Sequence, residues 1–257
     1  MIQNPTLDVS TILEGLSQLK LNHWRKEFEK TWPTLPDHDQ QSLISPLKSW
    51  LQTELAQRHS GAIQRRIQDA KFIRIQSIDQ YDFKYNSSTS KLEKDYRTLY
   101  HQTLDGQMPK AVLVGTTGLG KTHLARALGY AACQAGFSVL FTKASQIVND
   151  LATAKSLHNL EREIKKFRKP SLLIIDELGY VSMGAEEGNL FFQVISDRHD
   201  RGLGTIVTTN FAFGHWNQIF AAESTAVVVV ERLTANAEVF YLEGESYPQN
   251  QKRKRKS

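Results

Sequence analysis

Residues 115–122 spell GTTGLGKT, a match to the pattern G-x-x-x-x-G-K-[ST]. An apolar run at residues 111–114 precedes this segment, and a helix-compatible stretch follows it. Glycines at this spacing let the backbone curl so that successive N–H groups point inward at a chain of phosphates. The segment therefore predicts a nucleotide-binding loop between a strand and a helix.

The loop also predicts the cofactors, ATP and Mg²⁺. The ammonium group of Lys121 is expected to reach the β- and γ-phosphates, and the hydroxyl of Thr122 to contact Mg²⁺. The following helix directs the positive end of its dipole at the anion. We expect the nucleotide to be held by Gly115, Thr116, Thr117, Gly118, Leu119, Gly120, Lys121 and Thr122.

A second motif, SLLIIDE, lies at residues 171–177. A buried strand that ends in two acids places carboxylates at the carboxyl edge of a sheet, where open α/β sheets bind ligands. Asp176 is predicted to hold Mg²⁺, largely through water, and Glu177 to orient and polarise the attacking water. The strand TIVTTN ends at Asn210, which is either a residue that helps to hold this water or a turn-forming asparagine.

Strands alternate with helices after Met108, which indicates an α/β fold with a parallel sheet and helices on both faces. Five strands are predicted, at residues 111–114, 138–142, 172–176, 205–209 and 237–242. The first hundred residues carry helical periodicity and no strand pattern. We predict a helical N-terminal domain at 1–78, a linker and leading helix at 79–107, a nucleotide-binding domain at 108–247 and a basic, disordered tail at 248–257.

The net charge of +5 comes from the tail, because removing its five bases leaves 27 basic and 27 acidic residues. The tail is either a solubilising end, a contact for nucleic acid phosphates or a nuclear address. Its basic residues are Lys252, Arg253, Lys254, Arg255 and Lys256. No apolar run is long enough to span a membrane, and the single cysteine excludes an internal disulfide. We therefore expect a cytoplasmic protein.

Two other basic clusters have two interpretations each. Arg65 and Arg66 lie on a helix expected after Gly61, where a charged run is either a solvated face or a DNA-facing surface. Basic residues also lie at the end of a helix expected near residues 157–169. There they are either stabilised by the helix dipole or available to bind DNA. The candidates in that helix are Lys165, Lys166 and Arg168.

Several segments together resemble the IstB-type transposition helper ATPases of bacterial insertion sequences. These segments include GKTHLARALGYAACQAG, LLIIDELGYV, TIVTTN and VERLTANAEVFYLEGESY. The family belongs to the AAA+ ATPases and is related to the DnaC helicase loaders and the DnaA initiators. The resemblance covers most of residues 60–247 and is loose before residue 60.

The resemblance implies further site residues. His123 matches the family's GKTH and joins the nucleotide-binding set. Asn210 would be sensor 1, and Arg232 would be an arginine finger that reaches the ATP of a neighbouring subunit, with Arg198 and Arg201 as rivals. The partners implied are double-stranded DNA, the transposase of the adjacent gene and further copies of the chain in a homo-oligomer.

The chain departs from the family pattern in three places. Thr116 and Thr117 stand where the family usually has prolines, and the acidic pair is Asp-Glu where many relatives have Asp-Asp. The stretch STAVVVVERL favours a strand by β-branching, whereas the resemblance implies a helix, which we adopt. The chain ends soon after its last strand, so we expect no C-terminal lid.

These observations predict an ATP-dependent DNA-binding transposition helper with a lidless AAA+ ATPase domain. The alternative is a DnaC-like helicase loader, which shares the ATPase core and differs in its partner. A small-molecule P-loop kinase is a weaker rival, because the sequence shows neither an arginine-bearing lid nor an acceptor site.

Overall fold

The computed structural model describes residues 5–247, so the basic tail predicted to contact nucleic acid lies outside the described residues. None of the helices in this part of the chain is long and apolar enough to cross a membrane. The chain divides into two compact units between residues 64 and 65. The domain boundary at residue 78 stays a prediction.

The first unit is helical, as its periodicity predicts. Its helices are α1 (Pro5–Gln18), α2 (Asn22–Thr31) and the first part of α3 (Asp37–Asp69), with a 3-10 turn at Trp32–Thr34. Ile12, Leu16 and Leu19 are buried on one face of the first helix and the turn after it. Helix α3 includes Gly61, so the separate helix that we expected after this glycine was a wrong prediction.

The second unit is a parallel α/β fold, which confirms the predicted class. It begins with the last residues of α3, followed by 3-10 turns at Ile78–Gln80 and Phe83–Tyr85 and by α4 (Ser87–Leu104). There follow β1 (Ala111–Gly115), α5 (Lys121–Gln134), β2 (Val139–Lys143), α6 (Ala144–Ser156), α7 (Leu160–Arg168), β3 (Leu172–Leu178), α8 (Ala185–Asp200), β4 (Gly204–Thr209), a 3-10 turn (Phe213–Gln218), α9 (Glu223–Thr234) and β5 (Glu238–Leu242).

The sheet has five strands in the order β2-β3-β4-β1-β5, and every pair is parallel. The apolar residues of the central strands β1, β3 and β4 are buried because helices cover both faces of the sheet. Strand β4 lies between β1 and β3, the strands that carry the two sequence motifs. Since all the strands point the same way, both motifs and Asn210 lie at one edge of the sheet.

The stretch STAVVVVERL forms helix α9, as the resemblance implied. Its buried residues Ala226, Val229 and Leu233 are three and four residues apart, which is the spacing of one helical face. Burial of this face against the core outweighs the strand preference of four consecutive valines.

Candidate nucleotide-binding site

The loop between β1 and α5 has the backbone of a phosphate-binding loop. Gly120 ends it with φ of +83°, a left-handed conformation that a side chain would strain. A Cβ atom on Gly120 would also lie 2.4 Å from a ring carbon of Tyr81. The last loop residues enter α5 directly, so the first amides of this helix face the mouth of the loop.

Lys121 lies inside the loop. Its Nζ donates hydrogen bonds to the carbonyl oxygens of Gly115 at 2.6 Å and Thr116 at 2.8 Å. Burial lowers the pKa of Lys121, while Asp176 and Glu177 act in the opposite direction. Two backbone carbonyl oxygens therefore hold the ammonium group within the loop. When a nucleotide binds, its phosphate oxygens would replace these carbonyls as hydrogen-bond acceptors.

Asp176 is buried at the end of the apolar part of β3, at 2% exposure. One of its carboxylate oxygens accepts hydrogen bonds from the hydroxyl of Thr122 at 2.9 Å and from Thr208 at 2.6 Å. A carboxylate and a hydroxyl beside a phosphate loop fit Mg²⁺, which is bound by one or two protein oxygens, water and nucleotide phosphates. No group of three or more His, Cys, Asp or Glu side chains that could hold a metal ion occurs within residues 5–247.

Glu177 lies next to this carboxylate and is held by two contacts. Its backbone N–H donates to the hydroxyl of Thr208 at 2.9 Å, and its carboxylate pairs with Lys143 at 2.7 Å. The hydrogen bond to Glu177 raises the pKa of Lys143. Glu177 has φ of +61°, where the register between β3 and β4 is interrupted. The left-handed backbone at Glu177 places this residue in the wall of a cavity beside the phosphate loop.

Sequence reasoning missed Lys143. It is the last residue of β2 and lies opposite Asp176 in the sheet register. The signal was a basic residue at the end of an edge strand, which has meaning only once the strand order is known.

Asn210 follows β4 and is exposed to the same cavity as Glu177. This placement agrees with the position predicted between the two motif strands. Its role in holding water stays a prediction.

The cavity beside the phosphate loop has a volume of about 460 Å³ and is lined by Glu177, by the loop and by the linker before α4. The hydroxyls of Tyr81 and Tyr85 both donate to the carbonyl oxygen of Leu119, at 2.9 and 3.0 Å. Burial raises the pKa of both phenols, so both stay protonated as donors. Sequence reasoning placed these tyrosines in a linker and missed their contact with the phosphate loop.

His123 lines the cavity as the resemblance implied, and it also connects α5 to the linker. Its Nε2 donates to the carbonyl oxygen of Ser77 at 2.8 Å, so Nδ1 accepts from the amide of Gln76 at 3.1 Å. Burial lowers the pKa of His123, which keeps the ring neutral at pH 7. Arg126 donates to the other end of the Gln76 amide at 3.1 Å.

The three candidate arginine fingers occupy different places. Arg198 has no exposed surface, and its guanidinium donates to the carbonyl oxygens of Phe167, Pro170, Ser171 and Gly204. Burial lowers the pKa of Arg198 to about 9. Because this side chain serves the fold, it cannot reach another subunit. Arg201 is exposed at the end of α8.

Arg232 lies at the opposite edge of the sheet from the phosphate loop. It borders a small cleft with Lys110 and Leu203, the residues just before β1 and β4. Its guanidinium pairs with Asp200 at 3.4 Å, and its side chain is 37% exposed. Arg232 therefore cannot act on the nucleotide of its own chain in this conformation.

Replacing Arg198 by methionine is expected to lower the free energy of unfolding by about 3 kcal/mol or more, because several buried carbonyls lose a charged donor. Chemical denaturation of the full chain measures this change. The control is Arg201→Met, an exposed change expected to cost less than about 0.5 kcal/mol. Equal stability of the two variants would contradict a structural role for Arg198.

The basic residues predicted to contact DNA differ in exposure and in ion pairing. Arg65 and Lys165 are exposed, whereas Arg66 is half-buried and its Nη1 atom is buried. Lys166 pairs with Asp150 and Glu163, and Arg168 pairs with Asp197 and Glu161. The role of all five in DNA binding stays a prediction. Lys166 and Arg168 already form ion pairs within the chain.

The site can be compared with known proteins now that its geometry is described. A family model for IstB-like ATP binding proteins matches residues 14–255. The chain belongs to the IstB-like ATP-binding proteins.

This IstB-like protein has curated relatives in bacterial insertion sequences. The IS21 ATP-binding protein of Pseudomonas aeruginosa is 32% identical over 204 residues, which cover 79% of this chain and 76% of the relative. The IS5376 ATP-binding protein of Geobacillus stearothermophilus is 32% identical over 79% of this chain and 80% of the relative. The resemblance predicted from the motifs is therefore confirmed.

Solved structures share the fold of the IstB-like chain. A crystal structure of DnaI has a TM-score of 0.55 at 18% identity and covers 66% of this chain and 89% of its own. A structure of the DnaC helicase loader has a TM-score of 0.54 at 22% identity and covers 65% of this chain and 96% of its own. At these identities the likeness concerns the fold alone.

Proposed function

We propose that this protein is an ATPase whose ATP-bound form self-assembles on double-stranded DNA and activates the transposase of the adjacent gene. The ATP-binding family and the insertion-sequence relatives support this proposal. The main structural support is the position of Arg232. It lies at the opposite edge of the sheet from the cavity that Glu177 and Asn210 line.

Hydrolysis uses residues at the carboxyl edge of the sheet. Lys121 holds the β- and γ-phosphates. Thr122 and Asp176 would hold Mg²⁺, which would neutralise charge on the phosphates. Glu177 leaves Lys143, orients a water molecule and accepts its proton, and Asn210 helps to position that water. Positioning and charge stabilisation together account for most of the catalysis in phosphoryl transfer.

A neighbouring copy supplies the arginine. Among the described residues that line the cavity, the single arginine is Arg126. Its guanidinium donates a hydrogen bond to Gln76 and lies 4.7 Å from the centre of the Phe141 ring. Arg232 lies at the other edge, so a second copy must present it to this cavity. ATP then acts as a link between subunits, and its hydrolysis releases the assembly from DNA.

DNA is held through its backbone phosphates by basic residues. The candidates are Arg65 and Lys165, which are exposed, and the basic tail, which lies outside the described residues. Stimulation of hydrolysis by the adjacent-gene transposase distinguishes this function from helicase loading. In a pulldown, capture of the transposase supports the proposal, whereas capture of a replicative helicase instead supports the loader.

Replacing Lys121 by alanine is expected to abolish ATP-dependent DNA binding, because the phosphates lose their main cationic partner. Gel mobility shift or anisotropy with a DNA duplex, with and without ATP, measures this loss. Lys91→Ala changes an exposed lysine of α4 and serves as the matched control for charge. ATP-dependent binding that persists in Lys121→Ala would contradict the mechanism.

A further inference from the structure

Tyr180 lies at the end of the turn that carries Glu177. Its backbone N–H donates to the carbonyl oxygen of Glu177 at 3.3 Å. Its phenol oxygen lies 2.9 Å from the hydroxyl oxygen of Thr117 in the phosphate loop, and either group can donate. The side chain lines the nucleotide cavity and remains 55% exposed. Nothing in the predicted chemistry uses this pair of hydroxyls.

The pair lies at the γ-phosphate end of the cavity. Lys121, which reaches the β- and γ-phosphates, rests on the carbonyls of Gly115 and Thr116, immediately before Thr117. The turn with Glu177, which faces the attacking water, supplies Tyr180. The linker residues Tyr81 and Tyr85 also line the cavity, and both contact the phosphate loop at Leu119.

We propose that Tyr180 is a γ-phosphate-sensing residue that distinguishes bound ATP from ADP. With ATP bound, the phenol donates its hydrogen to a γ-phosphate oxygen while its oxygen accepts the hydrogen of Thr117. With ADP bound, the phenol has no such acceptor and keeps only the contact with Thr117. Each hydroxyl has one hydrogen to donate and two lone pairs, so a reorientation of hydrogens suffices for this exchange.

The contact also connects the phosphate to the catalytic carboxylate. Tyr180 and Glu177 are the two ends of one short turn, so holding the phenol restrains the position of Glu177. Thr117 makes the arrangement a property of this chain, because a proline at this position would lack the hydroxyl. This inference rests on the proposed ATPase site, although its test requires nucleotide binding alone.

The test compares the affinity of the full chain for a non-hydrolysable ATP analogue (AMP-PNP) and for ADP, by calorimetry in the presence of Mg²⁺. Tyr180→Phe removes one oxygen and keeps the ring. We expect AMP-PNP to bind about 10-fold more weakly and ADP to bind within about twofold of the original chain, since a hydrogen bond to a charged group is lost for the triphosphate alone. Equal weakening of both nucleotides, or no change, would overturn the proposal.

Variants of Thr117 test whether its hydroxyl contributes to the preference for ATP or only stabilises the phosphate loop. Thr117→Val is expected to weaken AMP-PNP about threefold more than it weakens ADP, and Thr117→Ser, which keeps the hydroxyl, to retain the original preference for AMP-PNP. The double variant with Tyr180→Phe should be no weaker than Tyr180→Phe alone, because both changes remove one connected contact. Additive losses would show two independent effects and overturn the proposal. Loss of DNA assembly with intact ATP-over-ADP discrimination would instead count against the proposed function alone.

Discussion

Replacing Glu177 by glutamine is expected to reduce ATP hydrolysis by at least about 100-fold while ATP still binds. A positioned general base contributes about 10²–10⁴-fold, and an amide cannot accept the proton. The backbone bond from residue 177 to Thr208 does not involve the side chain, and Asp176 keeps both of its hydroxyl donors. The variant should therefore form long-lived ATP-bound assemblies.

Phosphate release under saturating ATP measures the loss, and equilibrium binding of ATP confirms that the site remains occupied. Glu186→Gln is the matched control, since Glu186 is an exposed glutamate near the start of α8 and lies outside the nucleotide cavity. Turnover near the original rate in Glu177→Gln would remove Glu177 from its role. Loss of ATP binding as well would show that its pair with Lys143 shapes the site.

Replacing Arg232 by alanine is expected to reduce hydrolysis by the assembled protein about 10³-fold, the effect of losing an arginine finger. ATP binding to the single chain should remain unchanged, because Arg232 lies at the opposite edge of the sheet from the phosphate loop. Arg232→Lys should remain defective, since an ammonium group lacks the planar fork of the guanidinium. Arg201→Ala, which changes the residue immediately after α8, is the control.

Mixing two inactive chains tests the shared site directly. Arg232→Ala keeps the phosphate loop, and Lys121→Ala keeps the arginine, so a mixed assembly contains some interfaces with both groups. We expect the mixture to recover measurable hydrolysis that neither variant shows alone. Absence of recovery, with mixed assembly confirmed by differently tagged chains, would contradict an arginine supplied in trans. Full activity of Arg232→Ala beside an inactive Arg201→Ala would assign the finger to Arg201.

The strands and the phosphate site were predictable from the sequence because their signals are local. All five predicted strands are present, with end residues shifted by at most two positions. Asp176 and Glu177 meet the loop because parallel strands place their carboxyl ends at one edge. Helix α9 shows the limit of local propensity, because its valines favour a strand while the spacing of its buried residues is helical.

The motifs by themselves predicted a nucleotide-binding loop at residues 115–122 and two carboxylates at the same edge of the sheet, and the structure places Asp176 against Thr122. This was possible because each motif consists of residues that are close together in the sequence. Tertiary structure alone decided which distant side chains serve them. Strand order brings Lys143 to Glu177, the turn after β3 brings Tyr180 to Thr117, and packing buries Arg198 while leaving Arg232 at the far edge. These pairs depend on contacts between elements far apart in the chain, which no local spacing encodes.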